Sequence, residues 1–337
     1  MVSTSPTFSS VDAWKPVLFF DELCFRSSRG LSRFNGNAMS ELARPPYAAS
    51  EPVVFNGSLY YGAGDTANGV ELWRFNGATQ TRVTDINPGP ADSSPENLIV
   101  FGNALYFRAR DASSGNELWR YNGAVATRVA DINSGVASSD PSSFVVFQGA
   151  IYFQADDGIQ GYELWRCDGT NVVQVADINQ NPVYESGGDR MSDSNPRSLT
   201  TLGAYLYFSA HNGYGNGLWR CDGTNAVLIG GGTVDSINEL VVFQDSIYFD
   251  NDDGISGREL WRVKARPEPR MEISAPASEV KLQLHDAVTG AYVVEATTNL
   301  LNWFPVATNP AVNGTLRFTD PAAVNSRHRI YRAVVAP

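Results

Sequence analysis

The stretch ELWRYNGAVATRVADI occupies residues 117–132. Near copies flank it, ELWRFNGATQTRVTDI at 71–86 and ELWRCDGTNVVQVADI at 163–178. Self-similarity at a fixed period marks a repeat architecture. The L-W-R triplet begins at Leu72, Leu118, Leu164, Leu218 and Leu260. An aromatic pattern stands upstream of each: SLYYGAGD, ALYFRARD, AIYFQADD, YLYFSAHN and SIYFDNDD. Before that comes an apolar run ending in a turn, as in VVFNG or VVFQG. A worn first copy, VLFFDELCFRSSRGLSRFNG at 17–36, aligns with the others. Six copies therefore fill residues 12–273.

Each copy reads as four strands, a to d. In the third copy they are Asn97–Phe101, Ala104–Ala109, Glu117–Tyr121 and Thr127–Ile132, short runs rich in β-branched and aromatic residues. The a–b joins, such as Asn56-Gly57 and Gln148-Gly149, and the c–d joins, such as Asn76-Gly77 and Asn122-Gly123, both read as tight hairpin turns with positive φ at both central residues. Four-stranded units repeated in a ring predict an all-β, six-bladed β-propeller with a degenerate first blade. Trp119 and Tyr121 face one side of strand c, and Leu118 and Arg120 the other. Both sides meet a neighbouring blade, so Trp73, Trp119, Trp165, Trp219 and Trp261 are structural. So are Arg74, Arg120, Arg166, Arg220 and Arg262, which are expected to pair with acidic groups of the repeat. The last copy loses its c–d turn; either residues 270–273 or the N-terminal segment 1–11 supplies its strand d.

At 337 residues the chain needs no staples to bury a core. Its three cysteines, Cys24, Cys167 and Cys221, stand at strand positions and read as small buried hydrophobes. The net charge of −11 falls almost wholly on the repeats: residues 274–337 hold five basic and four acidic side chains, leaving −12 for the rest. That charge argues against a nucleic-acid partner. No run of 18 apolar residues predicts a membrane span, and no signal peptide is visible at the start.

The pattern F-x-G-x-L-Y-F-x-A-x-D-x-x-x-G-x-E-L-W-R-x-D-G-T…V-x-D-I-N is carried most fully by Phe147–Thr170 with Val175–Asn179. It resembles the ELWxxDGT repeat of large exported or surface-associated bacterial proteins, and the strand order resembles kelch blades. The resemblance implies an extracellular or cell-surface setting and no agreed activity. Two copies depart from it. Ser32 replaces the Trp of the first, and the fifth has Gly217 for Glu and lacks D-I-N. The tail, VVEATTNLLNWFPVATNP…LRFTDP…RIYRAVV, resembles small C-terminal β-domains of bacterial surface proteins. Strands near 293–297, 303–307, 316–318 and 330–335 would make residues 274–337 a small β-sandwich-like domain.

Tight a–b and c–d turns occupy one face of the ring, so the longer b–c and d–a loops share the other. Variable loops on a rigid scaffold are where binding usually sits. On that face stand Asp65, Asp111, Asp156, Asp157, Asp252 and Asp253 at the ends of strands b, with His211 in the fifth copy. The long insertion at 179–198 adds Tyr184 and Arg190. Asp156-Asp157 and Asp252-Asp253 raise a calcium reading, although turn chemistry explains them equally. Asp85, Asp131 and Asp177 of the D-I-N triplets are expected to fix the turn out of strand d. The histidines are scattered, and no nucleophile–base motif appears. The expected role is a non-enzymatic binding or assembly module for a protein or glycan, with self-association open. The alternative is a glycan-processing enzyme or calcium-dependent lectin using the acidic loops.

Overall fold

The computed structural model describes residues 15–335 except 28–29, 44–46, 49, 186–187, 192, 232–236, 238, 253–254, 256, 265–269, 275–279, 286–290, 300–301, 311–315, 322 and 324–328. The chain divides into two compact units, Met1–Arg262 and Val263–Pro337.

Among the described residues the first unit holds six blade sheets in chain order and one separate two-stranded hairpin. Four have four strands: Val17–Phe19, Glu22–Ser27, Gly30–Phe34 and Met39–Ala43 in blade one; Glu96–Phe101, Ala104–Ala109, Glu117–Tyr121 and Ala126–Ala130 in blade three; Ser142–Phe147, Ala150–Asp156, Tyr162–Cys167 and Val172–Ala176 in blade four; Arg197–Leu202, Tyr205–His211, Asn216–Cys221 and Ala226–Gly231 in blade five. Blade two has Val53–Phe55, Ser58–Asp65, Gly69–Phe75 and Gln80–Arg82, with Tyr47–Ala48 as a fifth strand on Ser58–Asp65. The a strands of successive blades touch one another, so they are the inner strands of the propeller.

Strand alternation sends the L-Y-F triplet to two neighbours at once. Leu105 and Phe107 pack back on Phe55, Tyr60 and Leu72 of blade two. Tyr106 and Leu118 pack forward on Ile151, Phe153 and Cys167 of blade four. The same division recurs between blades four and five, where Cys221 joins Tyr152 and Leu164. All three cysteines are buried and free, and burial pushes the Cys24 thiol up to about 11. Each buried Leu of this set contributes roughly 1.5–3 kcal/mol.

Blade six departs from the pattern. It comprises Val241–Phe243, Ser246–Asp252 and Arg258–Lys264, and no fourth strand pairs with it among the described residues. Ile247 and Phe249, on the side turned to blade five, are buried. On its forward side Leu260 is 75% exposed, whereas its counterparts Leu72, Leu118, Leu164 and Leu218 are fully buried. Of the two candidates for its missing strand, residues 1–11 lie outside those described. The other is corrected: Arg270–Ser274 pairs with Val280–His285, register Ile273↔Leu282, inside the second unit. The five residues 265–269, with two prolines, separate it from strand c in place of a two- to four-residue turn, so hairpin pairing is no longer enforced.

The c–d joins also differ from expectation. The a–b turns do place both residues at positive φ, Asn56 and Gly57 or Gln148 and Gly149. The c–d loops have four residues, since Tyr121 pairs with Ala126. There Asn122 Oδ1 accepts the backbone N–H groups of Ala124 and Val125, and only Gly123 of the pair has positive φ. The Asn side chain imitates a backbone turn, which removes the need for a left-handed first residue.

In the second unit, Arg270–Ser274, Val280–His285 and Leu316–Asp320 form one sheet; Phe304–Pro310, Ala291–Thr297 and Ile330–Val335 form the other. Leu282 and Leu316 of the first meet Tyr292 and Val294 of the second in one core.

Candidate functional site

Three structural layers build the face carrying the b–c and d–a loops. The outermost is the b–c loop tips. Asp65 Oδ1 accepts the N–H groups of Ala67 and Asn68 at 2.9 and 2.7 Å. Asp111 does the same for Ser113 and Ser114, and Asp157 for Ile159 and Gln160. Asp156 accepts from Gly158 at 2.7 Å, and in blade five Asn212 and His211 Nδ1 take over these roles. Hydrogen bonds led by the Asn68 amide hold the Asp65 carboxyl below the usual carboxylate range. These carboxylates are thus committed to their own turns. No three metal-binding side chains converge among the described residues. Asp252 ends strand b of blade six; Asp253 lies outside the described residues. Tyr184 and Arg190 sit on facing strands of a hairpin, Pro182–Glu185 with Gly188–Met191, whose side chains lie outside those described.

What the turns hold up is apolar. Ile159, Tyr214 and Ile255 occupy the same place in three successive loops and are 66%, 82% and 91% exposed. Val136, in the d–a loop between blades three and four, is equally bare.

The second layer locks the loops together. Asn116 N–H donates to Ser138 Oγ, and Gly115 lies so close to Ala137 that a Cβ there would stand 2.1 Å from its carbonyl oxygen. Beneath them lies a fully buried carboxylate. Glu117 accepts hydrogen bonds from the N–H groups of Ile132 (2.8 Å), Asn133 (3.4 Å) and Ser139 (3.1 Å), and from Ser139 Oγ (2.7 Å). Glu71 binds Thr84 Oγ1 and the N–H groups of Ile86 and Asn87. Glu163 binds Ile178 N–H and Ser194 Oγ. The asparagine of each D-I-N closes the loop by donating to a carbonyl, as Asn133 does to Ser138 at 3.0 Å.

Two expectations are corrected here. Among the described residues no salt bridge joins the repeated arginines to the repeat's glutamates, although Arg166 acts electrostatically on Asp168. Glu117 and Arg120 are three residues apart in one strand, so they face opposite sides of the sheet. Arg120 Nε and Arg166 Nε are buried without a partner among the described residues, and Arg220 stacks over Tyr205 at 4.3 Å. The D-I-N aspartates fix the turn only in part: Asp131 Oδ2 accepts the Gly135 N–H at 3.5 Å in the turn, while Asp85 and Asp131 also bridge to Arg82 and Arg128, three residues earlier on strand d. The five tryptophans remain interblade packing residues, with Trp261 partly bared at blade six.

Burial lifts the carboxyls of Glu117 and Glu163, the latter to about 7, against the hydrogen bonds that favour their ionised forms. The native protein therefore holds a proton that the unfolded chain releases near 4.5. A raised carboxyl contributes stability that is full below the unfolded value and lost as pH rises through the folded one. Denaturation midpoints should fall between about pH 4.5 and 7, and Glu163→Gln should flatten that slope. Identical slopes in both proteins would refute the assignment.

The innermost layer was invisible in sequence. Strand a of blades three, four and five carries a β-bulge at its first turn, for instance between the pairs Glu96↔Arg108 and Ile99↔Tyr106. Each bulge holds a non-glycine residue at positive φ: Asn97 (55°), Ser143 (59°) and Ser198 (52°). They line a cavity of about 470 Å³ together with Lys15, Glu51 and the inner-strand residues of blades one to five. Residues from five blades surround it, so it lies on the propeller axis, at the end where the d–a loops enter strands a.

No family model matches the chain, and no curated protein does. Solved structures similar to it include the computationally designed Ika8 protein, at 13% identity over 89% of each chain, TM-score 0.45. Another is an extracellular domain assigned to a hybrid two-component system of B. thetaiotaomicron, 10% identical over 90% of this chain and 45% of that one, TM-score 0.48. A third is the β-propeller domain of the Trilobed protease from Pyrococcus furiosus, 10% identical over 74% and 81%, TM-score 0.44.

Proposed function

We propose that this propeller is a non-enzymatic binding module that docks a macromolecular partner, a protein before a glycan, on the face of its b–c and d–a loops. The observation carrying the reading is the row of exposed apolar tips at one repeat position, Ile159, Tyr214 and Ile255. Aromatic and aliphatic anchors on stiff supports are what protein interfaces use. The Asx turns below them supply the stiffness. No helix of the described residues is long and apolar enough to cross a membrane; an extracytoplasmic setting rests on the repeat's resemblance alone. The carboxylates that suggested glycan processing or calcium are occupied by turn hydrogen bonds, which favours the docking reading over those two.

Affinity capture from the native source tests it. Ile159→Asp with Tyr214→Asp should remove a partner that wild type retains, while Val125→Asp, on the opposite face and also exposed, should keep it. Equal capture by all three proteins would refute the assigned face.

A further inference from the structure

The cavity on the propeller axis has a charge pattern that nothing in the architecture requires. Lys15 from blade one and Glu51 from blade two both line it, and neither has an ion-pair partner among the described residues. Blades three to five contribute Leu98, Ile99, Phe144 and Leu199. One arc of the wall thus carries one charge of each sign, and the remaining arc mixes the polar Asn97, Ser143 and Ser198 with the edges of these four apolar residues, which also pack into the interblade clusters. At about 470 Å³ it falls within the usual range for small-molecule sites.

The bulge residues add a second, independent sign. A positive φ costs a non-glycine residue roughly 1–2 kcal/mol. The chain places glycine at many of its other positive-φ positions, Gly57, Gly77, Gly123 and Gly149 among them. At the axis it keeps Asn97 and Ser143 instead, and neither side chain makes a hydrogen bond among the described residues. Strain retained without a structural return points to a ligand.

We infer that the axial cavity binds a small zwitterion with an apolar side chain, an α-amino acid or a short peptide. Its carboxylate meets Lys15, its ammonium meets Glu51, Asn97 and Ser143 supply hydrogen bonds, and its side chain lies against Leu98, Ile99, Phe144 and Leu199. A simple anion would face Glu51, and a simple cation Lys15. The inference rests on the loop face being the binding face, but it concerns a different ligand from the macromolecular partner.

Calorimetric titration of the full chain decides it, with L-leucine, the dipeptide Leu-Leu, N-acetyl-leucinamide and maltose as probes. Leucine or the dipeptide should bind, and the two uncharged probes should not. Lys15→Gln and Glu51→Gln should each weaken binding about tenfold or more, since a hydrogen bond to a charged group is lost. Neither residue is buried, so both variants should fold as wild type. Asn97→Gly should weaken binding while leaving the melting temperature unchanged or higher, an outcome that a structural role for the side chain would reverse. No heat up to ~10 mM zwitterion, where a millimolar Kd would be evident, overturns the inference. So does equal binding of N-acetyl-leucinamide, binding of maltose alone, or binding indifferent to Lys15 and Glu51. Loss of zwitterion binding with partner capture intact would leave the docking face standing.

Discussion

Glu117→Ala should cost about 3–5 kcal/mol of unfolding free energy, the size expected when a buried polar network loses its central charge. The deletion removes one side chain and strands two donors, the N–H groups of Ile132 and Asn133, while the Ser139 N–H and hydroxyl keep the Asn116 carbonyl as acceptor. Each buried donor left unmet costs about 1–3 kcal/mol. With the carboxylate gone, the d–a loop keeps only the bonds of Ser139 and Asp140 to Asn116 and of Asp156 to Ser139 on this side, so it should also become the preferred site of limited proteolysis. Denaturant titration with a protease assay on the native state reads both effects. A loss below about 1 kcal/mol would mean that water replaces the carboxylate, making the latch dispensable.

The second large effect is a contrast within one motif. Leu118→Ala should cost about 2–5 kcal/mol, because the side chain is fully buried between blades three and four and its removal leaves a cavity. Leu260→Ala, the same letter of the same repeat, should cost less than about 0.5 kcal/mol, as surface changes usually do. Its side chain is 75% exposed on the forward side of blade six. Comparable losses at both positions would show that this side is covered in solution. The pair thus separates what the repeat encodes from what the position in the ring permits.

Much of this was legible in the letters. The L-Y-F and E-L-W-R runs predicted strands Ala104–Ala109 and Glu117–Tyr121 to the residue, because their turns and aromatic content bound them tightly. The alternation of strand direction placed the loops on one face correctly. Pairing of the arginines with the repeat's glutamates failed on strand parity, which was readable from the spacing of Glu117 and Arg120. The buried glutamates also left a signal: copies one and five, with Gly30 and Gly217 in place of Glu, both lack D-I-N. In copies two to four carboxylate and loop occur together because one holds the other. The axial cavity left none. Asn97, Ser143 and Ser198 sit in unremarkable polar company, and a left-handed bulge has no required letter. Nor does any local pattern show that Lys15 and Glu51, on different blades, share one wall.

The missing glutamate has a mechanical consequence. After blades two, three and four the d–a segment leaves its blade, is pinned back to it by the carboxylate, and only then feeds the next. Under tension along the chain, the pins at Glu71, Glu117 and Glu163 would carry load from blade to blade, as rivets do. The seam after blade five lacks that carboxylate, since Gly217 stands in its place, and among the described residues Ser209 Oγ holds it by donating to the Ile237 carbonyl. A pull on the C-terminal end should therefore peel blade six away at low force, well before the pinned blades two to five yield together.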